Sequence, residues 1–558
     1  MTGFVFRGAT VVDGTGAERY RADVTVADGE IRAIDTADAA KHAAHPANIA
    51  DAANFANAAD ARVIDADGLV LAPGFIDMHA HSDLRMLIDR EHPSRVTQGV
   101  TCEVLGQDGL SYAPVDDTTL PALRRQIAGW NGDPDPEDFD WDWRSVGEYL
   151  DRLDRGIAVN ACYLVPHGSV RMMAMGWENR APTRAELDRM RELVAQGLRE
   201  GAVGLSSGLS YTPGMYAGTD ELVELCEVVA EHGGYHSPHQ RSYGAGALDG
   251  YAEMIEISRR SGCPLHLAHA TMNFSVNAGR AATFLALVDA AIVEGCDISL
   301  DTYPYLPGST TLAALLPSWS AEGGPDATLE RLADPDVRER IRVDVEEHGS
   351  DGNHGMVIDW RTIQISGVRN IEDEELNALV GQNLAEIAAT RGVSGTEAFF
   401  DLLRSDRLGT TILHHVGHEE NVRAIMRHPA HTAGSDGLLV GARPHPRAWG
   451  TFPRYLGHYS RDLKVLTLEA AVEHMTGRPA RRLRLDRRGL VRVGYHADLV
   501  LFDPETVRDA ATFDDPRMPA IGIQEVLVNG VPVLAGGRPT GALPGRALRN
   551  TEKGVSAL

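Results

Sequence analysis

Lysine is almost missing from this chain. Only three of its 53 basic residues are lysine (Lys41, Lys464 and Lys553), and none lies between residues 72 and 460. The positive charge is therefore arginine charge, and there is little of it: 79 Asp and Glu leave a formal net charge of −26. Such a mean field repels polyphosphates and anionic lipid surfaces, which argues against nucleic acid or a membrane as partner. Long apolar runs are missing too. No stretch reaches the roughly 18 uninterrupted apolar residues of a membrane span, and the N-terminal MTGFVFRGATVVDGTG has no basic segment leading into an apolar one. Cysteine is scarce and odd in number. Cys102, Cys162, Cys226, Cys263 and Cys296 are widely spaced and mostly set in apolar runs, which excludes a disulfide framework and fits buried thiols in a reducing, cytoplasmic setting.

What is present is a chain of 558 residues, 43% hydrophobic, long enough to bury a large core. Residues 3 to 35 alternate apolar and polar positions between Gly and Asp turns, the pattern of short antiparallel strands. The texture returns in VGYHADLVLFDPE and IQEVLVNGVPVLAGG, with an Asn-Gly hairpin turn at Asn529 and Gly530. Two such sets predict a small β-sandwich domain built from both chain ends, residues 1–71 and 482–550. The Ala-, Asn- and Asp-rich segment 36–60 reads as a surface insertion without a role.

Between residues 72 and 481 short apolar runs alternate with amphipathic stretches. GFIDMHAH, TCEVLG, VNACYLV, AVGLSS, GGYHS, PLHLAHA, DISLDTYPY and TAGSD make eight candidate strands, and a helical insertion at about 307–410 separates the seventh from the eighth. The expected fold is an α/β chain with a (β/α)8 TIM-like barrel, whose chemistry sits at the C-terminal ends of its strands.

The first strand ends in His79-x-His81. Residues two apart on a strand share a face, so both imidazoles can be aimed at one cation. An HxH alone is weak evidence, but His239 ends the fifth strand, His269 the sixth and Asp436 the eighth. His236 and His266, in the same two motifs, read as core or supporting histidines.

HxH on strand one, His on strands five and six and Asp on strand eight together resemble the amidohydrolase superfamily. More closely, GAVGLSSGLSYTPG, DTYPYLPGST, GSDGL, RPHPRAWGTFPRYLG, LTLEAAVEHMTGRPARRL and ADLVLFDPETVRDAATF resemble the N-acyl-D-amino-acid deacylases (D-aminoacylases) over nearly the whole chain. That resemblance implies zinc as cofactor, one or two divalent ions with Mn, Fe or Co as alternatives. Its ligands would be His79, His81, His239, His269 and Asp436. Where the family keeps a cysteine ligand in a GNCG loop this chain has GQDG, so Asp108 stands in the ligand slot. The bland reading of Asp108 is a turn residue before Gly. Asp binds zinc at about 2.0 to 2.2 Å, against about 2.3 Å for a thiolate, and shifts preference toward harder ions. A carbamylated lysine, the bridge in many barrel amidohydrolases, is closed off because none of the three lysines lies in the barrel. Cys102, six residues before Asp108, is expected to pack as a small hydrophobe, with Glu103 supporting a histidine.

A second departure is Thr271, where the family commonly places a lysine that holds the substrate carboxylate; threonine cannot form that ion pair. Tyr211, Tyr303 and Ser309 match substrate-binding positions and remain. Arg241 and Arg443 are candidate replacement cations, and His167 in VPHGSVR resembles a motif near the pocket. His414 and His415 read as structural.

The implied reaction is hydrolysis of an N-acyl-D-amino acid, a small-molecule amide, with a water made acidic by the metal and Asp436 as general base and then acid. The alternatives are hydrolysis of another linear or cyclic amide (a lactam, imide or hydantoin-like ring) and a metal-free, non-catalytic barrel scaffold. The chain is compatible with a homo-oligomer.

Overall fold

The computed structural model describes residues 3–36, 62–134 and 137–550. The first five strands are β1 (Phe4–Val11), β2 (Tyr20–Ala27), β3 (Glu30–Thr36), β4 (Arg62–Asp65) and β5 (Val70–Pro73). All eight apolar runs expected to form the barrel are parallel strands of one sheet: β6 (Phe75–Asp77), β7 (Val100–Leu105), β8 (Asn160–Pro166), β9 (Gly204–Gly208), β10 (Tyr235–His239), β11 (Leu265–Leu267), β12 (Ile298–Thr302) and, far downstream, β16 (His431–Ala433). Helices cover the sheet. In the helix Arg184–Arg199, for instance, Thr183 and Glu186 form a capping box, and Leu187, Met190, Val194 and Leu198 face inward at helical spacing. β16 returns beside β6: Met78 N–H donates to Ala433 O (3.2 Å) and Asp436 N–H to His79 O (2.8 Å), which brings the first and eighth strand ends together.

The segment between β12 and β16 differs from its expectation as a helical insertion. Alongside its helices it carries an antiparallel sheet of β13 (Gly308–Thr311), β14 (Ile363–Gly367) and β15 (Thr411–His414). It also has its own core, with Leu312, Ile341, Ile365, Phe399 and Ile412 among its members. The β-branched residues of IQIS and TILH favour these strands.

The C-terminal strands β17 (Leu499–Phe502), β18 (Ile523–Val528), β19 (Val531–Ala535) and β20 (Arg538–Pro539) join β1 to β5 in a nine-stranded mixed sheet. Asn529 (φ 50°) and Gly530 (φ 78°) make the turn between β18 and β19, both in the left-handed region that such a hairpin demands. The sheet curls onto itself, because Ile31 N–H donates to Tyr495 O (2.8 Å) and Ala497 N–H to Gly29 O (2.9 Å). Phe4, Phe6, Val24, Leu71, Leu499 and Leu527 thereby share one sandwich-like core. The assigned insertion, residues 36–60, lies outside the described residues apart from Thr36, the last residue of β3.

Candidate metal centre

Six side chains converge where the barrel strands end. His79 and His81 follow β6, Asp108 follows β7, His239 ends β10, His269 follows β11 and Asp436 follows β16, and all are at least nine-tenths buried. Asp108 (φ 55°), His269 (φ 30°) and Asp436 (φ 49°) occupy left-handed backbone, which non-glycine residues adopt rarely and mostly at functional sites. The Asp108 turn is held by close backbone contact. A Cβ on Gly208 would stand 2.0 Å from Asp108 O, and one on Gly109 2.5 Å from Gly208 N.

The carboxylate of Asp108 is the hub. Its Oδ1 lies 3.4 Å from His79 Nε2 and 3.3 Å from His269 Nε2. Its Oδ2 lies 3.4 Å from His81 Nε2 and 3.5 Å from His239 Nδ1. Asp436 Oδ1 is 3.2 Å from His81 Nε2 and 3.8 Å from His79 Nε2. Two donor groups result, His79–His81–Asp108–Asp436 and Asp108–His239–His269, and they share Asp108.

These donors fit divalent cations. Ligands at about 2.1 Å around a tetrahedral ion stand roughly 3.4 Å from one another, and the four Asp108–imidazole separations of 3.3 to 3.5 Å match that spacing and are wider than good hydrogen bonds require. Buried Asp108 Oδ1, which faces His79 Nε2 and His269 Nε2, has no hydrogen-bond partner. Burial alone would raise the Asp108 carboxyl, but His79, His269 and His239 hold it well below the usual carboxylate range. Burial is likewise overcome at Asp436, first by Arg447 and then by the histidines. Both are ready-made anions.

Further carboxylates stand behind the centre and reach the backbone of two of its histidines. Asp301, the penultimate residue of β12, lies 3.0 Å from His266 Nε2, 3.8 Å from His79 Nδ1, and accepts from His269 N–H at 3.0 Å. Asp77 accepts from the Ser435 amide (2.8 Å) and hydroxyl (2.5 Å), and burial pushes its carboxyl up to about 6. Glu103 pairs with His92 (2.8 Å), accepts from Ser82 Oγ (3.0 Å) and pairs with Arg95. The histidine it pairs with is not one of the six, so Glu103 does not stand behind a donor ring as expected. Cys102 packs with Ile76, Met78, Val104 and Cys162 and touches none of the donors named above.

A cavity of about 80 Å³ opens over the centre. Tyr211, Tyr303, Ser309 and Thr271 line it, as do Trp130, His354 and His414. Thr271 Oγ donates to Asn273 Oδ1 at 2.7 Å, and the Tyr211 hydroxyl lies 3.0 Å from Thr310 Oγ. Three candidates are placed elsewhere. Arg241 is held by Glu253 at 2.7 Å, because a guanidinium half-buried beside a carboxylate pairs with it. Arg443 is half-exposed, with Asp514 as its distant counter-ion at 3.8 Å. His167 is buried against Glu221 at 2.8 Å, away from the cavity wall.

Sequence reasoning missed Arg447, four residues beyond Arg443 in RPHPRAWG. Its Nη2 is 2.9 Å from Asp436 Oδ2, its guanidinium stands 4.3 Å from the Tyr303 ring centroid, and its Nε and Nη1 have no partner. It missed Asp301 as well, although Asp301 lies in the candidate strand DISLDTYPY, because the pattern of strands one, five, six and eight contains no strand-seven donor. His414, read as structural, belongs to the cavity wall; His415 lies outside it, 2.9 Å from Gln364 Oε1.

Comparison with known proteins places this architecture. Residues 62–534 match the model of the Amidohydrolase family. The chain is 35% identical to the D-aminoacylase of Alcaligenes xylosoxydans xylosoxydans, over 98% of this chain and 97% of that one. The same organism's N-acyl-D-glutamate deacylase is 34% identical over 98% and 96%. Among solved structures, a D-aminoacylase superposes with a TM-score of 0.78 at 34% identity, covering 98% of this chain and 99% of the other. An N-acyl-D-glutamate deacylase from Bordetella bronchiseptica, complexed with zinc and a phosphonate mimic of the tetrahedral intermediate, superposes equally well at 33% identity.

Proposed function

Since this chain belongs to the amidohydrolase family, we propose that it hydrolyses N-acyl-D-amino acids to a free D-amino acid and a carboxylate, using zinc held at the two donor groups. The observation that carries this reading is the buried Asp108 carboxylate, shared by both groups and faced by four imidazoles. Near-full-length similarity to the D-aminoacylase supports the substrate class, and five free cysteines support a reducing, cytoplasmic setting.

A divalent cation there supplies Lewis-acid polarisation of the amide carbonyl and lowers the pKa of the attacking water. The protein's own groups do the rest. Asp436 Oδ2 is tied to Arg447, so Oδ1 takes the proton from water and returns it to the departing amine. Tyr303 and Ser309 offer hydroxyl donors to the substrate carboxylate, with the Arg447 cation immediately behind Tyr303. Thr271, engaged with Asn273, contributes no charge. The lobe formed by Phe274, Leu315, His354, His414 and Val416 takes the amino-acid side chain. Burial holds His354 down to about 3 and His414 down to about 4, so both are neutral at pH 7. A lobe without a cation favours neutral side chains over those of D-Glu and D-Asp.

The test is a substrate panel on zinc-loaded protein: N-acetyl-D-leucine, its L enantiomer, N-acetyl-D-glutamate and hydantoin-like ring amides. Turnover of the D-leucine derivative above the rest is expected. Ring opening with no turnover of any N-acyl-D-amino acid overturns the reading.

A further inference from the structure

A second cavity, of about 90 Å³, adjoins the catalytic one. The two share Trp130, Ser210, Tyr211 and Ala314 as a common wall. Trp130 and Tyr211 meet edge to face at 4.9 Å, and Trp130 stands 5.2 Å from His81. Beside them Ser210 and Ala314 are small and leave the wall thin. Beyond the wall Met215, Leu316, Ala321, Leu329 and Trp177 give the chamber an apolar lining, with Asp326 and three arginines also among the residues that bound it.

From this geometry we infer that the chamber receives the acyl chain of the substrate, and that the preferred acyl group is a medium-chain fatty acyl rather than acetyl. The inference rests on the deacylase reading. Once the scissile carbonyl is set over Asp108 and Asp436, the α-carbon side of the substrate is accounted for. Its carboxylate faces Tyr303 and Ser309, and its side chain faces the lobe of Phe274, His414 and Val416. Of the residues that bound the catalytic cavity, Trp130, Ser210, Tyr211 and Ala314 also bound the second chamber, so an acyl group directed toward them is directed toward that chamber. An acetyl group ends short of it, whereas a longer chain is buried against Met215, Leu316 and Leu329, each methylene exchanging water for an apolar wall.

The experiment compares kcat/KM of zinc-loaded protein for N-acetyl-, N-butanoyl-, N-hexanoyl- and N-octanoyl-D-leucine. A rise of about fourfold per methylene is expected, the factor equivalent to ~0.8 kcal/mol for each buried CH₂. Met215→Trp and Ala321→Trp, at half-buried positions outside the catalytic cavity, should each cut octanoyl turnover more than tenfold and leave acetyl turnover within twofold. A flat or falling series in the unaltered protein overturns the inference. So does a rise that both variants keep, or one that follows the length of the D-side chain instead of the acyl chain. Octanoate binding, followed by tryptophan fluorescence, separates this idea from the reading beneath it. If octanoate binds and both variants weaken it while no N-acyl-D-amino acid turns over, the substrate reading fails and the chamber stands. Without octanoate binding or turnover, both fail.

Discussion

Arg447 Nη2 lies 2.9 Å from Asp436 Oδ2, and Arg447 is fully buried. Among the described residues Arg447 pairs with no other carboxylate, and its guanidinium nitrogens Nε and Nη1 have no hydrogen-bond partner. Asp436 thus has one oxygen fixed by a cation and the other turned to His79 and His81. Arg447→Met leaves a buried carboxylate without its counter-charge, a loss of about 3–5 kcal/mol when one partner of such a pair is removed. A lowered melting temperature and a fall in kcat/KM of at least about 100-fold are expected. Arg447→Lys should recover part of the rate, since it restores charge without the planar fork. Unchanged kinetics in Arg447→Met would show that the pair is only structural.

Asp108 and Cys102 make a contrasting pair. Asp108→Ala removes the carboxylate common to both donor groups, so metal content and activity should both collapse, whereas Cys102→Ser, in the packed interior, should keep both. Chelation should abolish activity in the unaltered protein, and added zinc should restore it. Full metal content in Asp108→Ala, read by elemental analysis, would reduce the GQDG loop to a turn.

Asp301 is not among the residues lining the cavity, yet it lies 3.8 Å from the imidazole of His79 and accepts from the backbone N–H of His269. Carboxylates placed behind metal-binding histidines fix ring orientation and tautomer, and losing one typically costs 10- to 100-fold in metal affinity. Asp301→Asn should therefore show a zinc dissociation constant weakened by about that factor, with activity recovering at saturating zinc. If activity stays low at saturating zinc, Asp301 acts on more than metal retention.

Much of this was legible in the sequence because it is local. A run such as LAPGFID followed by His79-x-His81 carries its strand, its direction and its face in eleven residues, and all eight barrel strands could be located from such local runs. Asp108 could be singled out because its loop keeps the family's glycines around a changed centre. Contacts between distant segments were not legible. Arg241 and Arg443 sit beside conspicuous motifs, but Glu253 claims one and solvent the other, while Arg447 reaches the site because the helix Arg447–Arg454 starts beside β16. The β strands of the insertion and the second chamber likewise depend on how segments far apart in sequence come together.

The buried histidines away from the centre predict how the fold responds to acid. His474 is buried, with Nδ1 3.0 Å from His431 Nδ1, and burial, aided by Arg478, holds it down to about 3. An unfolded histidine titrates near 6.5. Between pH 6.5 and about 3 the unfolded chain therefore binds a proton that the folded chain refuses. This contribution is fully present above pH 6.5 and is lost as the pH falls below it. At pH 5 the loss amounts to ~2 kcal/mol for one such histidine, from 1.36 kcal/mol per pH unit. Denaturant midpoints of metal-stripped protein at pH 7.5 and pH 5 read the effect without interference from zinc release. His474→Asn should narrow the stability difference between the two pH values by about that amount. If the variant and the unaltered protein lose stability equally, His474 is not neutral in the fold and the acid response arises elsewhere.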